Sequence, residues 1–410
     1  MRRIYLLLAV LAISFLSSES IWAARKTPTA VPFGSNQQKV QKIPFTSTAG
    51  IDPSKVIDMQ KATLSRPSLT YGSLRLYHLQ NGSDFGWDWL IGCGTNVNSG
   101  SPSPDNTYGV TAQGYLGAHK IDHAPWQLPS AKRAAAGMLA NGGVDSGGDF
   151  QYLMRLFRAC GDTSYANLAK TRFDARRAFF GGSRAWADFI INARTGQSLR
   201  NGIIPWDINL ILVGAKELST RYGASYASSA DTFAQVIYDS LYSPGGLYTP
   251  TDKSVLYWTL GTAGVVEGFT LTGMFTSDRD EARDSLLSFQ GATTSGAWDL
   301  DTNPGDTSDF QATAYAIMAL VAEGSGASLT AATNGALWLE QTQSANGGWC
   351  YVDFGNIEVT EVDGEALWAM SLVLGPTMPT FNYFGLAILV SLFLGTGAWF
   401  FYSRKRSQTA

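Results

Sequence analysis

Two kinds of apolar pattern alternate along the chain between about residues 53 and 375. In the first kind, apolar residues recur at helical spacing and charged residues take the opposite side, as is typical of a helix with one face in water. In the second kind nearly every position is apolar, which predicts a helix covered on all sides. The alternation therefore predicts pairs of an outer and an inner helix. The outer type is clearest at residues 183–193, 231–241 and 281–289.

The second kind of pattern occurs six times. These segments contain many Ala and Gly residues, which allow neighbouring helices to approach closely. We predict six inner helices, at residues 109–118, 149–159, 207–218, 256–269, 309–320 and 363–374.

A glycine-containing junction follows an outer-type segment at six places, which indicates a repeat. Glycine ends a helix readily because it adopts the left-handed cap conformation without steric cost. Six inner helices can bury one another if the hairpins close into a ring, whereas an open superhelix leaves one face wet. We therefore predict an all-α fold, an (α/α)6 toroid over residues 53–375. The junctions end at Trp87, Val144, Ile203, Leu247, Trp298 and Trp349, at intervals of 57, 59, 44, 51 and 51 residues.

Several junctions and inner segments resemble the Gln-Trp-type repeats of the terpenoid cyclase and protein prenyltransferase superfamily. The resemblance rests on "QTQSANGGW" (341–349), "SGAW" (295–298), and the helix starts "TAYAIMAL" (313–320) and "EALWAM" (365–370). It covers roughly residues 55–375 and implies a six-hairpin α/α toroid. It implies little about activity, because one fold hosts unrelated functions.

The start of the chain differs from this repeat-built body. Residues 1–24 contain two arginines, an apolar run and a final pair of alanines, which predicts a signal peptide; an uncleaved N-terminal anchor is the alternative. Residues 25–52 are rich in Pro, Thr, Ser, Gly and Gln, which predicts a disordered linker. The body is therefore expected to be exported.

The end of the chain predicts a membrane anchor. Residues 381–402 form an apolar run of membrane-spanning length, and residues 404–406 are basic. The basic cluster should stay cytoplasmic, which places the toroid on the extracytoplasmic side of the membrane or at the cell surface. Residues 376–410 also resemble bacterial C-terminal sorting signals, through "PTMP" (376–379) before the span. The helix is then either a permanent anchor or a segment removed by a sorting enzyme.

Charge and cysteine content exclude several function classes. Lys and Arg total 30 against 33 for Asp and Glu, and basic runs occur only at the two ends, so no nucleic-acid partner is expected. Three cysteines, Cys93, Cys160 and Cys350, allow at most one intramolecular disulfide, and the sequence does not show which pair forms it. Three histidines show no metal-ligand spacing with the cysteines, so neither a metal nor another cofactor is expected.

An acidic residue stands at or near the start of most inner segments. The inner helices of such a toroid are parallel, so these acids should meet at one mouth of the ring. Asp is a favoured N-cap residue, and any one of them can be structural. Extra acids at 299–309 and 353–365 favour a cluster in which carboxylates raise one another's pKa and supply a general acid. The catalytic candidates are Asp207, Asp309, Asp363 and Glu365.

Tryptophan recurs next to aspartate, as at 87–88, 206–207 and 298–299. A sugar can stack its C–H face on an aromatic ring while its hydroxyls bind carboxylates, although a buried Trp is also a common core filler. The ligand-binding candidates are Trp206, Trp298, Trp349, Tyr315, Asp149 and Asp299.

Known activities of toroid proteins match these residues only in part. A squalene-type cyclase carries Asp-x-Asp-Asp, whereas residues 299–302 read Asp-Leu-Asp-Thr. A prenyltransferase zinc site needs a histidine, and none follows residue 123. A thioester domain carries Gly-Cys-Gly-Glu-Gln, whereas residues 92–96 read Gly-Cys-Gly-Thr-Asn.

The sequence thus predicts an exported protein that binds an extracellular ligand such as a glycan. Hydrolase or lyase chemistry at an acidic cavity mouth is one interpretation. A cyclase-like enzyme with a degenerate acid motif and a non-catalytic ligand-binding module are the alternatives.

Overall fold

A computed structural model of the chain describes residues 66–80, 85–94, 108–140, 146–194, 200–242, 259–292, 296–300, 308–352 and 356–374. The predicted signal peptide (1–24), linker (25–52) and sorting signal (376–410), with the apolar run 381–402, lie outside the described residues. Within the described ranges, no helix combines the length and apolarity needed to cross a membrane.

The described part of the chain is mostly helical. It contains three short strands, β1 Leu90–Gly92, β2 Cys350–Tyr351 and β3 Ile357–Val359. Its helices are α1 Arg66–Leu79, α2 Gly109–Asp122, α3 Gln127–Ala140, α4 Gly147–Cys160, α5 Thr163–Phe179, α6 Ser183–Arg194, α7 Arg200–Tyr222, α8 Ala224–Tyr242, α9 Thr259–Thr272, α10 Thr276–Ala292, α11 Phe310–Glu323, α12 Gly326–Thr342 and α13 Thr360–Leu374.

Six helices, α2, α4, α7, α9, α11 and α13, form a closed inner ring. The first five pack in chain order, each against the next. Glu365 of α13 accepts hydrogen bonds from Tyr315 and Gln311 of α11. On its other side α13 meets α2, where Gly364 lies against the backbone of Thr111 so closely that a Cβ there would overlap it. The ring and the six predicted inner helices are confirmed.

The other seven helices form an outer layer. Helices α1, α3, α5, α8, α10 and α12 each pack on an inner helix that is their neighbour along the chain. Helix α6 is an additional outer helix that contacts α5, α7 and α8. The three segments predicted as outer helices lie within α6, α8 and α10.

The inner helices run in the same direction, because the starts of neighbours lie side by side. Gly109 at the start of α2 contacts Asp149 in the first turn of α4. Gly264, in the second turn of α9, packs on Trp206, in the second turn of α7. Side chains near these starts therefore share one end of the ring, which we call the mouth.

Tryptophan and glutamine recur at the junctions in equivalent roles. Trp87, Trp298 and Trp349 are each 0% exposed. Their indole N–H groups donate to a carbonyl of the preceding outer helix, those of Leu76 (2.8 Å), Leu286 (2.7 Å) and Leu339 (2.8 Å). A buried indole N–H needs a hydrogen-bond acceptor, and in all three cases a backbone carbonyl provides it.

The glutamines join each junction to the next outer helix. The side-chain amide of Gln80 donates to Phe85 O and to Ser130 O of α3. Gln290 bonds Gly296 O and Ala331 O of α12, and Gln343 bonds Gly347 O and Ser68 O of α1. The last of these links the final outer helix to the first one, so the outer layer closes as the inner ring does.

The contact between the first and last hairpins, which we call the seam, carries additional bonds. The guanidinium of Arg75 in α1 donates twice to Glu358 of β3, at 2.8 Å each, and both side chains are 1% exposed. Gly347, with φ of +98°, packs against the backbone of Tyr71, where a side chain would clash.

A disulfide and a small sheet complete the seam. Cys93 and Cys350 are bonded, with a Cα–Cα distance of 5.7 Å, across 257 residues of sequence. The sheet has the antiparallel order β1-β3-β2, and Ile91 and Cys350 both lie opposite Glu358. The all-α prediction is therefore incomplete, because three short strands occur at the seam. The pairing of β1 with β3 joins the backbones of segments that are far apart in the sequence, which a helix cannot do.

The seam ion pair yields a stability prediction. Arg75→Ala would leave Glu358 buried without its cation, beside Asp363, and we expect a loss of about 3–5 kcal/mol in the free energy of unfolding. Arg283→Ala, at a more exposed ion-pair site of α10, is the control and should cost about 1 kcal/mol or less. Urea unfolding measures both. Equal losses in the two variants would contradict the role assigned to the seam pair.

Candidate functional site at the mouth of the toroid

A narrow cavity lies on the axis of the inner ring. All six inner helices contribute to its lining, and its polar or aromatic residues are Gln113, Gln151, Glu267, Tyr315, Glu365 and Trp368. The volume open to the centre of a water-sized sphere is only ≈ 20 Å³. That is room for about one water molecule. A sugar ring cannot enter this axial cavity without rearrangement.

Glu365 is the central acid of this site. It is 3% exposed and accepts hydrogen bonds from the Tyr315 hydroxyl (2.7 Å) and the Gln311 amide (3.0 Å). Burial raises the pKa of Glu365 well above its usual range, and the nearby charges of Glu361 and Asp309 raise it further. Glu365 is thus better suited than an exposed glutamate to hold a proton and to donate it.

Asp309 combines a structural and a titratable role. It is the N-cap of α11, and its carboxylate accepts the backbone N–H of Ala312 at 2.7 Å. Burial raises the pKa of Asp309 to about 6, although bonds from Ala312, Tyr351 and Gln311 act in the opposite direction. Its charge can therefore change near pH 6.

Aromatic side chains surround these acids. The ring of Phe310 lies 5.1 Å from that of Trp338 and 5.0 Å from that of Tyr351. The indole N–H of Trp89 donates to Glu361 at 3.2 Å. Trp206 meets Tyr315 edge-on, with ring centroids 5.3 Å apart. The mouth thus combines carboxyl groups with aromatic surfaces.

A second polar group lies deeper on the axis. Arg155 of α4 donates to Gln113 and to Glu217 of α7, and its guanidinium lies 4.2 Å from the ring centre of Trp368. Glu267 of α9 accepts the amide of Asn209 at 2.7 Å, and burial raises the pKa of Glu267. These groups fill the axis with paired polar side chains.

Four of the predicted site residues come together at the mouth. Asp309, Glu365, Tyr315 and Trp206 lie within one connected set of contacts. Asp207 follows Trp206 in α7 and is buried. Asp299 lies opposite Ser308 in an isolated β-bridge, and its carbonyl accepts the Thr259 hydroxyl at 2.6 Å.

The structure places four others in structural positions. Asp149 and Ser146 form a reciprocal capping box at the start of α4. Asp363 accepts the backbone N–H of Trp349 at 2.9 Å, and it belongs to the seam rather than to the cavity. Burial and the neighbouring Glu358 raise its pKa. Trp298 and Trp349 are enclosed in the junctions, so their rings offer no surface to a ligand.

Sequence reasoning missed several residues of the site. Trp89 and Tyr351 are two of them, and the bond of Trp89 to Glu361, one of the predicted extra acids, depends on ring closure. Gln113, Arg155 and Glu267 carried a detectable signal, because they are isolated polar positions within otherwise apolar inner segments. Such positions need partners inside a fold.

The disulfide bears on one of the activities considered from the sequence. Because the sulfur of Cys93 is bonded to Cys350, it is not available for a thioester. Within the described residues, no group of three or more His, Cys, Asp or Glu side chains is arranged to hold a metal ion. Positions 301 and 302 of the cyclase-type motif lie outside the described residues.

Comparisons with known proteins support the fold. No family profile and no curated protein matches the sequence. An unsaturated glucuronyl hydrolase specific for heparin matches over 75% of this chain and 96% of its own, with a TM-score of 0.51 and 13% identity. An inactive GH76A α-1,6-mannanase from Salegentibacter sp. HEL1_6, bound to α-1,6-mannotetrose, matches over 75% and 98%, with a TM-score of 0.52 and 11% identity. A sugar epimerase from a ruminal bacterium matches over 77% and 98%, with a TM-score of 0.50 and 13% identity.

The raised pKa of Asp309 predicts a pH-dependent stability. Because the folded pKa is about 6 and the ordinary value is 3.8, the folded state holds more protons between these values, and stability should fall as pH rises through that window. The effect is about 3 kcal/mol at most. Asp309→Asn keeps a capping oxygen and removes the charge, so it should be more stable than the wild type at pH 7.5 and lose this pH dependence.

Asp309→Ala is the matched variant. It removes the cap as well as the charge, so it should be about 1 kcal/mol less stable than Asp309→Asn at every pH. Urea unfolding at pH 4.5 and 7.5 measures both effects. An Asp309→Asn protein whose stability changes with pH as much as that of the wild type would show that this carboxyl does not titrate as described.

Proposed function

We propose that this protein is a glycan-acting enzyme whose substrate binds at the mouth of the toroid, with Glu365 as the proton donor. The observation that carries the proposal is a buried Glu365 with a raised pKa, held by Tyr315 and Gln311 beside two further carboxyl groups. The toroids similar in fold include proteins described as glycan hydrolases and a sugar epimerase, which is consistent with this reading.

Glycoside cleavage of the common kind uses two carboxyl groups, one protonated and one ionised. Glu365 fits the first role, since it would donate its proton to the oxygen that leaves. Asp309 and Glu361 lie close enough to raise the pKa of Glu365, and either can take the second role. Trp206 and Phe310 would contact the apolar faces of the sugar.

The proposed location is extracytoplasmic. It is supported by the sequence features of residues 1–24 and 376–410 and by a disulfide, which persists in oxidising compartments. We propose that the chain is tethered by residues 381–402 or sorted through the tail that contains them.

A non-catalytic ligand-binding module is the second candidate. The narrow axis and the use of Asp149 and Asp309 as helix caps favour it. A terpenoid cyclase-like activity has less support, because the axial cavity, with ≈ 20 Å³ open to the centre of a water-sized sphere, leaves no room for a polyene.

The role of Glu365 can be tested on the full chain. Reducing-sugar release from a panel of cell-wall and capsule polysaccharides would identify a substrate, and Glu365→Gln should then lower kcat at least about 100-fold, because general-acid catalysis contributes 10²–10⁴. Asp363→Asn is the control, since Asp363 lies two residues away on α13 but faces the seam. Its activity per folded molecule should stay near that of the wild type.

The outcomes separate the candidates. Binding without cleavage, unchanged in affinity by Glu365→Gln, would favour the binding module. If the panel gives neither binding nor cleavage, the glycan proposal is wrong.

A further inference from the structure

The junction bonds align three outer helices, α1, α10 and α12, residue by residue. In each of them a leucine carbonyl accepts the indole N–H of the junction tryptophan, and the junction glutamine stands four residues after that leucine. The aligned leucines are Leu76, Leu286 and Leu339. The residue directly before the leucine is therefore equivalent in the three helices. It is Arg75 in α1, Ser285 in α10 and Trp338 in α12.

These three equivalent residues have different contacts. Arg75 forms the seam ion pair. Ser285 is small, and its hydroxyl donates to Glu281 O of its own helix at 2.9 Å. Trp338 is partly exposed and lies against Phe310, the first residue of α11. Because α10 forms the same junction with a serine, the junction does not require an aromatic side chain at the position of Trp338.

Trp338 belongs to an aromatic cluster that is connected to the central acid of the mouth. Its ring lies 5.1 Å from that of Phe310 at an angle of 32°, and the ring of Phe310 meets that of Tyr351 edge-on at 5.0 Å. We call these three residues the rim cluster. Gln311, which follows Phe310, donates to Glu365 at 3.0 Å. The rim cluster thus connects outer helix α12 with the proposed proton donor.

We infer that the rim cluster binds a sugar other than the one that is protonated, so that the substrate is a glycan chain of several sugars extending from Glu365 to Trp338. This inference rests on the proposed function and names the size of its substrate. Flat aromatic rings suit the C–H faces of sugars. Trp338 is the residue of the cluster that the repeat leaves unexplained, and its partial exposure leaves surface for a ligand.

The layers of the toroid give the reason for a chain. Glu365 lies on the inner ring and Trp338 on the outer layer, so a ligand that contacts both crosses from one layer to the next. The axes of packed helices are about 8–10 Å apart, which is longer than one sugar ring. The axial cavity does not admit a sugar ring without rearrangement. A glycan held at Glu365 therefore continues outward, across Phe310.

Chain length tests the inference on the full chain. Oligosaccharides of two to six sugars are prepared from the polysaccharide of the panel that the wild type cleaves, and kcat/KM is measured for each length. Trp338→Ala should lower kcat/KM about three- to tenfold on the longer oligosaccharides, mainly through KM, because the lost contact lies away from the bond that is cleaved. On the shortest oligosaccharide that is cleaved, the loss should be less than about twofold. Trp338→Phe keeps a flat ring and should restore most of the long-chain value.

A second tryptophan provides the matched control. Trp126 is also partly exposed, but it lies between α2 and α3, at the end of the ring away from the mouth. Trp126→Ala should leave the dependence on chain length unchanged. Circular dichroism confirms that the variants are folded.

Binding without turnover gives an independent measurement. The same oligosaccharides are titrated by calorimetry into Glu365→Gln, with and without Trp338→Ala. Affinity should rise with chain length in the first protein, and the rise should be about three- to tenfold smaller in the second.

The results separate the inference from the proposed function. A loss in Trp338→Ala that is the same at every chain length would indicate a structural role and overturn the inference, while the glycan-acting function stands. Equal effects of Trp338→Ala and Trp126→Ala would overturn it as well. If the polysaccharide panel gives neither binding nor cleavage, the proposed function fails and the inference fails with it.

Discussion

The buried ion pair between Arg75 and Glu358 is the interaction on which the rest of the toroid depends. These residues are 283 positions apart in the chain, and their two 2.8 Å hydrogen bonds join the first outer helix to the strand that precedes the last inner helix. A buried charge is tolerated only when it is paired and bonded. Within the closed ring each charge needs the other, so the pair specifies how the first and last hairpins meet. Ring closure in turn brings α13 against α2, while the other side of α13 carries the contact between Glu365 and Tyr315 of α11.

Much of the fold could be predicted from the sequence because the signal is local and repeated. The pattern predicts all six inner helices, since a segment that is apolar all round must be buried, although α7 begins seven residues before the predicted segment. The seam could not be predicted in the same way. The pairing of β1 with β3 joins segments about 270 residues apart, and neither segment has a strand pattern of its own. The extra helix α6 also breaks the regular alternation of inner and outer helices.

The site was predicted less well, for a geometric reason. Asp363 and Glu365 were grouped as neighbouring acids, but residues two apart on a helix point in nearly opposite directions, about 200° around the axis. One faces the seam and the other faces the cavity. Trp298 and Trp349 recur at repeat spacing because each fills a junction and bonds the preceding outer helix. Their regular spacing therefore reflects packing and not ligand binding. The mouth instead uses Trp89 and Trp206, which do not occupy equivalent positions in the repeat.

The disulfide turns most of the toroid into one covalent loop. Because Cys93 and Cys350 are bonded across 257 residues, a single proteolytic cut anywhere between them leaves both pieces attached to each other. The six-hairpin body can therefore be nicked without losing any part of the ring to diffusion. Such damage would remain confined to one backbone break within an otherwise intact assembly.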